Sequence, residues 1–261
     1  MDLGIHGKTA LVAASTGGLG LATATALAAD GANVVITGRR ADVAEQVAAR
    51  LRGAGGSAIG VAVDLTVDGG PAAAVAAATE AFGLVDILVL NGPGPKPSAA
   101  AALTGDDIAS AFDLLVKPQH ALVAAVLPGM RERRWGRILA IGSSGIAAPL
   151  PNLALSNTGR AALAGYLKTL AAEVALDGVT VNLVLPGRIN TERVVAIDEA
   201  AAKRRGSTFE AIQQESRATI PARRYGDPAE FGAAAAFLCS GPASYITGVA
   251  LRVDGGLVRS L

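Results

Sequence analysis

Several groups of residues in this chain have the types and spacing to do chemistry. The first is Ala13-Ala14-Ser15-Thr16-Gly17-Gly18-Leu19-Gly20, which joins a short apolar run to an alanine-rich one. Glycines in such a turn let the backbone approach a phosphate, and the N-terminus of the following helix favours its negative charge. Ser15, Thr16, Gly18, Leu19 and Gly20 are the candidate contacts. The second group is Gly38-Arg39-Arg40, at the end of the next apolar run. If the phosphates belong to a dinucleotide, its adenosine ribose sits there. A carboxylate would accept bonds from a ribose 2′-hydroxyl, whereas arginine suits a 2′-phosphate through charge-assisted bonding. Arg39 is the candidate and Arg40 the solvated turn residue beside it. Asp64 and Asn91 end the third and fourth apolar runs, at the same edge. The last group is Ser156-Asn157-Thr158-Gly159-Arg160. An alkyl hydroxyl does not ionise usefully without a base beside it. Arginine stays protonated and cannot relay a proton, but it donates to hydroxyls or to an anion.

Short apolar, β-branched runs alternate with alanine-rich segments and would position these groups. Strands are expected at 9–13, 33–37, 58–63, 86–90, 137–141, 180–185 and 249–253, and helices at 19–30, 41–52, 72–82 and 151–176. Gly31, Gly53 and Gly83 sit just past three of the helices, where a C-terminal glycine belongs. The stretch 106–133 reads as helix that Pro118 and Pro128 should bend or split. The later strands are nearly all apolar, as in a parallel sheet covered on both faces. The fold class is therefore α/β: one doubly wound Rossmann-type domain over 1–261, with a parallel sheet of about seven strands and helices on both faces. Segment 190–217 is charged and strandless. It is expected to be a mobile substrate-side element past the sixth strand, with Glu192, Asp198, Glu199 and the run Lys203-Arg204-Arg205 on solvated faces.

The bulk numbers exclude several partners. A net charge of +1 over 261 residues points to neither nucleic acid nor an anionic membrane. The uncharged stretches 9–29 and 138–159 are interrupted by glycines or prolines and read as strand, turn and helix rather than membrane spans. No signal peptide is visible at the start, so a cytoplasmic location is expected. The single cysteine, Cys239, reads as a packed core thiol. His6 and His120, the only histidines, read as structural, with no metal-ligand spacing around them.

Two late segments carry a resemblance. Val181-Asn182-Leu183-Val184-Leu185-Pro186-Gly187, and Tyr245-Ile246-Thr247-Gly248 through Val253-Asp254-Gly255-Gly256, resemble the short-chain dehydrogenase/reductase family, especially its 3-oxoacyl-carrier-protein-reductase-like branch. The resemblance runs from Lys8 to Gly256. It implies that Ser15, Leu19, Arg39, Asp64, Leu65, Asn91 and Gly92 line a nicotinamide dinucleotide. It also implies that Ile189 and Thr191, after Pro186 and Gly187, hold the carboxamide and phosphate end. Ser143 stands where the family's serine polarises the substrate oxygen, with Ser144 one residue out of register. Four departures stand out. The family's first turn glycine is Ala14. Its Asn-Asn-Ala-Gly is Leu90-Asn91-Gly92-Pro93. Counting back from Leu170-Ala171-Ala172-Glu173, its catalytic Tyr-x-x-x-Lys has become Ser156 and Arg160. Its helix-four asparagine is Leu115. Tyr166 does not rescue the motif: at ~100° per residue it lies about 240° around the helix from Arg160, and it reads as a packing or subunit-contact residue.

The expected activity is an atypical NADP(H)-dependent oxidoreductase, with NADP(H) preferred over NAD(H). Ser143, Ser156 and Arg160 form the reduced catalytic set, Arg160 also holds the nicotinamide ribose, and the substrate is a small carbonyl-type molecule. The alternatives are a non-redox lyase, cyclase or isomerase on the same scaffold, and a nucleotide-binding pseudoenzyme. The resemblance implies a homodimer or homotetramer.

Overall fold

Alternating burial explains the sheet. Ala10 and Val12 of β1 (Thr9–Val12) face one layer with Val34 and Ile36 of β2 (Asn33–Gly38) and Ile87 and Val89 of β4 (Ile87–Leu90). Leu11, Val35, Leu88 and Leu90 face the other. Both faces are apolar, so the strands belong to a sheet covered on both sides. In the computed structural model, which describes residues 1–260, the remaining strands are β3 (Ser57–Ala62), β5 (Gly136–Ile141), β6 (Val179–Pro186) and β7 (Ala250–Val253). All seven pair in parallel in the order β3-β2-β1-β4-β5-β6-β7. The order reverses between β1 and β4. That reversal opens a crevice at the carboxyl ends of the strands, where such sheets bind ligands.

Helices α1 (Gly18–Ala29), α2 (Ala41–Gly53) and α9 (Pro228–Leu238) cover the first face. The second is covered by α3 (Gly70–Phe82), α5 (Lys117–Glu132) and α6 (Ala154–Val174). Helix α4 (Gly105–Leu115) begins with a Thr104–Asp107 capping box and packs on α6. The 106–133 stretch divides at Val116, just before Pro118 in the first turn of α5. Pro128 does not divide it. That residue lies on the exposed side, and the carbonyl it leaves without a donor belongs to exposed Ala124, which water can reach. No helix among the described residues is long and apolar enough to cross a membrane.

The charged segment after β6 is two helices, α7 (Glu192–Arg205) and α8 (Phe209–Thr219). Asp198 is not on a solvated face, contrary to the reading of the charge pattern: it is fully buried. Arg188 Nη1 donates to its Oδ1 at 3.0 Å and Tyr225 Oη to its Oδ2 at 2.7 Å. The carboxylate thus ties α7 to the end of β6 and to the chain after α8. Cys239 is buried as expected, and burial pushes its thiol up to about 12.

Candidate active site

The turn after β1 is strapped to both neighbouring strands. Ala14 N donates to Thr37 Oγ1 at 2.9 Å, and Asn91 Nδ2 donates to the Ala14 carbonyl at 3.0 Å. Gly20 is required by this packing, because a Cβ there would sit 2.7 Å from that carbonyl oxygen and 2.8 Å from the Asn91 amide. Gly18 has φ 56, and Ala14 is itself held at φ 46, a left-handed conformation that glycine adopts more easily. Ser15 is fully buried. Its hydroxyl donates to Val12 O at 2.7 Å and accepts from Thr37 N at 3.1 Å, so the side chain holds the turn and is not turned to a ligand.

Beside this turn lies a groove of about 320 Å³. Thr16, Arg39, Asp64, Leu65, Asn91 and Gly92 all line it, six of the residues expected to bind a dinucleotide. Arg40 does not line it. The Thr66 hydroxyl and backbone N–H bond Asp64 Oδ1 at 2.7 and 2.9 Å. Those bonds, with a smaller contribution from the Arg39 charge, hold its carboxyl below the usual range. The sequence reading missed Gln119, which also lines the groove. It is buried, its Nε2 donates to Asn91 O at 3.2 Å, and its Oε1 has no partner. Its position inside an expected helix carried no signal.

The other half of the site lies outside this groove, at the ends of β5 and β6. Ser143 follows β5, and its Oγ accepts from Gly145 N at 3.1 Å, which leaves the hydroxyl proton free to donate. Ser156, in the first turn of α6, is partly buried and makes no hydrogen bond among the described residues. Arg160 Nη1 donates to the carbonyls of Ile141 at 3.1 Å and Gly142 at 3.4 Å. Burial first, and the like charge of Arg193 second, lower its pKa to about 10, so it remains a cation at neutral pH. Leu115 packs on the backbone at Gly159, where a Cβ would meet its Cδ1 at 2.7 Å. Asn157, also missed, clamps the loop after Ser143 by donating to Leu150 O at 2.9 Å. Tyr166 packs against His120 with ring centroids 5.5 Å apart and the planes tilted by 55°, and burial raises its pKa.

Gly187, just past β6, leaves room for the C-terminal tail: a Cβ there would lie 2.7 Å from Asp254 Cα. Ile189 is buried and bridges to Gly226, while Thr191 is the N-cap of α7 with its hydroxyl making no cap bond. The two late sequence segments form one device. Asn182 Nδ2 donates to Ile246 O at 2.8 Å, its Oδ1 accepts from Val249 N at 3.1 Å, and Thr247 Oγ1 accepts from Val181 N at 3.1 Å.

A sequence family described as enoyl-(acyl carrier protein) reductase matches residues 13–258. "Dehydrogenase/reductase SDR family member 4" of Bos taurus is 34% identical over 258 residues, 98% of this chain and 89% of its own length. The chain belongs to the short-chain dehydrogenase/reductase family. The 3-oxoacyl-[acyl-carrier-protein] reductase FabG of Vibrio cholerae is likewise 34% identical, over 98% of this chain and 99% of its own. Among solved structures, L-sorbose reductase from Gluconobacter frateurii, complexed with NADPH and L-sorbose, superposes with a TM-score of 0.94 at 33% identity, covering 100% of both chains. The protein is thus an oxidoreductase of a family that binds nicotinamide nucleotides.

Proposed function

We propose that this short-chain dehydrogenase/reductase uses NADP(H) in preference to NAD(H) and reduces, or forms, a small carbonyl-type substrate with a diminished proton-donating set. The observation behind it is Arg39, which lines the groove beside Thr16 and Gly38 at the end of β2 with no carboxylate within ion-pair distance among the described residues. A 2′-phosphate there completes the charge; a bare ribose leaves the guanidinium without a purpose. The strapped turn and the N-terminus of α1 fit a diphosphate, and Asp64, Leu65 and Gln119 fit an adenosine.

When bound, the nicotinamide supplies or accepts the hydride. The chain supplies the rest. Ser143 donates its free hydroxyl proton to the substrate oxygen and holds it beside the end of β5. Ser156 orients a water that exchanges the proton with that oxygen. Arg160, fixed on two backbone carbonyls, presents its remaining N–H groups to ribose hydroxyls or to an anion. Without a phenol at 156, proton transfer is slower by roughly 10²–10⁴, so a substrate whose carbonyl is already electron-poor is favoured. The exposed side chains Leu251 on the outermost strand and Tyr245 and Val249 in the chain leading to it fit a subunit contact and support an oligomer.

Calorimetric titration with NADPH and NADH, each against the protein and Arg39→Ala, tests the reading. A charge-assisted bond contributes about 1.5–3 kcal/mol, so the variant is expected to lose about 10- to 150-fold in NADPH affinity and little for NADH. Failure of a folded, nucleotide-free sample to bind either nucleotide sinks the reading and favours non-redox chemistry.

A further inference from the structure

Six arginines of this chain are held in ion pairs. Arg52, Arg131, Arg133, Arg188, Arg205 and Arg224 each have a carboxylate within 4.0 Å. Arg160 and Arg193 have none among the described residues. Arg160 uses a single nitrogen, Nη1, on the carbonyls of Ile141 and Gly142, leaving Nε and Nη2 without a partner. Arg193, in the first turn of α7, reaches across to the loop after β4. There its guanidinium lies on Gly94 so closely that a Cβ would collide with Nη2 and sit 3.0 Å from Nη1. The two cations are near enough for Arg193 to lower the pKa of Arg160. The N-terminus of α7 adds partial positive charge at the same place, and the Thr191 side chain does not cap it. Arg160, bonded to the residue immediately before Ser143, and Arg193, at the N-terminus of α7, thus have no carboxylate within 4.0 Å among the described residues.

We propose that Arg160 and Arg193 form the recognition site for a carboxylate carried by the substrate close to its reducible carbonyl. This rests on the oxidoreductase reading for the role of Ser143. The turn after β1 and the N-terminus of α1, which fit the diphosphate, lie on the other side of β4 from Arg160. Arg160, in contrast, is bonded to the two residues immediately before Ser143. An anion on its free edge is therefore placed near the oxygen that Ser143 holds, within reach of one small substrate. Arginine, not lysine, at 160 fits this role, because the planar fork takes a carboxylate through two parallel bonds. The chemistry is consistent too. In a 2-oxo acid the carboxylate carbon is bonded directly to the carbonyl, which makes it a better hydride acceptor than an isolated ketone, in a site that has lost its phenol.

The test is calorimetric binding of unbranched 2-oxo and 3-oxo acids of three to ten carbons, each beside its methyl ester. The titrations use the protein with and without saturating NADP⁺, and NADPH oxidation is followed in parallel. At least one acid is expected to bind tenfold or more tightly than its ester. Arg193→Gln, a change at an exposed position, is expected to remove that preference while altering ester and NADPH affinity less than twofold. Equal binding of acids and esters, or no binding of any acid, overturns the proposal. So does an Arg193→Gln variant that loses NADPH affinity as much as acid affinity, since its guanidinium then serves the cofactor diphosphate. Acid-selective, Arg193-dependent binding without hydride transfer leaves the anion site standing and removes the reductase reading instead.

Discussion

Rebuilding the proton-donating pair by the double substitution Ser156→Tyr with Arg160→Lys asks whether the site lacks anything else. Ser156 is partly buried at the start of α6 and makes no hydrogen bond, so its replacement breaks none. Arg160→Lys gives up the bonds from Nη1 to Ile141 and Gly142 at 3.1 and 3.4 Å, and relieves the crowding with Arg193. A phenol ionises near 10, and a cation beside it brings that value toward neutrality. A positioned acid contributes roughly 10²–10⁴ in rate, or about 3–5.5 kcal/mol of barrier. The lower end is expected, because Leu115 packs against Gly159 behind residue 160 and offers no polar group to hold a lysine. The assay is single-turnover NADPH oxidation with simple ketones, which the native protein is expected to reduce slowly, with nucleotide affinity measured on both proteins. An unchanged rate at unchanged NADPH affinity refutes the reasoning, since the missing phenol would then not be what limits the chemistry.

Other consequences follow from the same structure. Ala14 at φ 46 carries about 1–2 kcal/mol of left-handed strain. Ala14→Gly relieves it at a cost of roughly 0.4–1 kcal/mol in unfolded-chain entropy, which leaves a net gain of up to about 1.6 kcal/mol and a rise in Tm of up to about 6 °C by scanning calorimetry; a fall contradicts the strain. Asp198→Ala leaves the buried Tyr225 hydroxyl and the Arg188 guanidinium unpaired. Because the Arg188 side chain is 31% exposed, the loss in urea unfolding is expected near the low end of the buried-pair range, about 3 kcal/mol, and a loss below about 1 kcal/mol would mean that the network does not hold α7. Cys239, its thiol raised from 9.0 to about 12 by burial, should resist alkylation at pH 8 until denaturant is added. The same shift makes the folded state lose stability as pH climbs from about 9 toward 12, since only the unfolded chain ionises there; Cys239→Ala should abolish that part of the alkaline slope.

The half of the site at β1 to β4 was legible in the sequence because it is built from local chain. The glycine turn and the residues ending β2, β3 and β4 all sit where a parallel strand meets its loop, so recognising the strands placed Thr16, Arg39, Asp64 and Asn91 together. Gly31 and Gly83, at φ 82 and 84, stop α1 and α3 for the same local reason. The half at β5 to β7 depends on residues far apart in the chain. Helix α6 starts at Ala154 rather than near Pro151 because Asn152 turns at φ 58 and Leu153 bridges to Ser98. Asp198 reads as a solvated charge until Tyr225 and Arg188 are seen to close over it. Arg193 carried no signal at all, since its neighbours Gly94 and Arg160 come from the loop after β4 and from α6. Ser156 and Arg160 were located only by spacing from a family pattern, and their new types say what cannot happen there rather than what does. The cofactor end is formed by backbone shape, which composition betrays. The substrate end is formed by side chains from distant elements, and there the deciding fact is one no strand or helix pattern encodes: Arg193 near enough to lower the pKa of Arg160, with no carboxylate within 4.0 Å of either among the described residues.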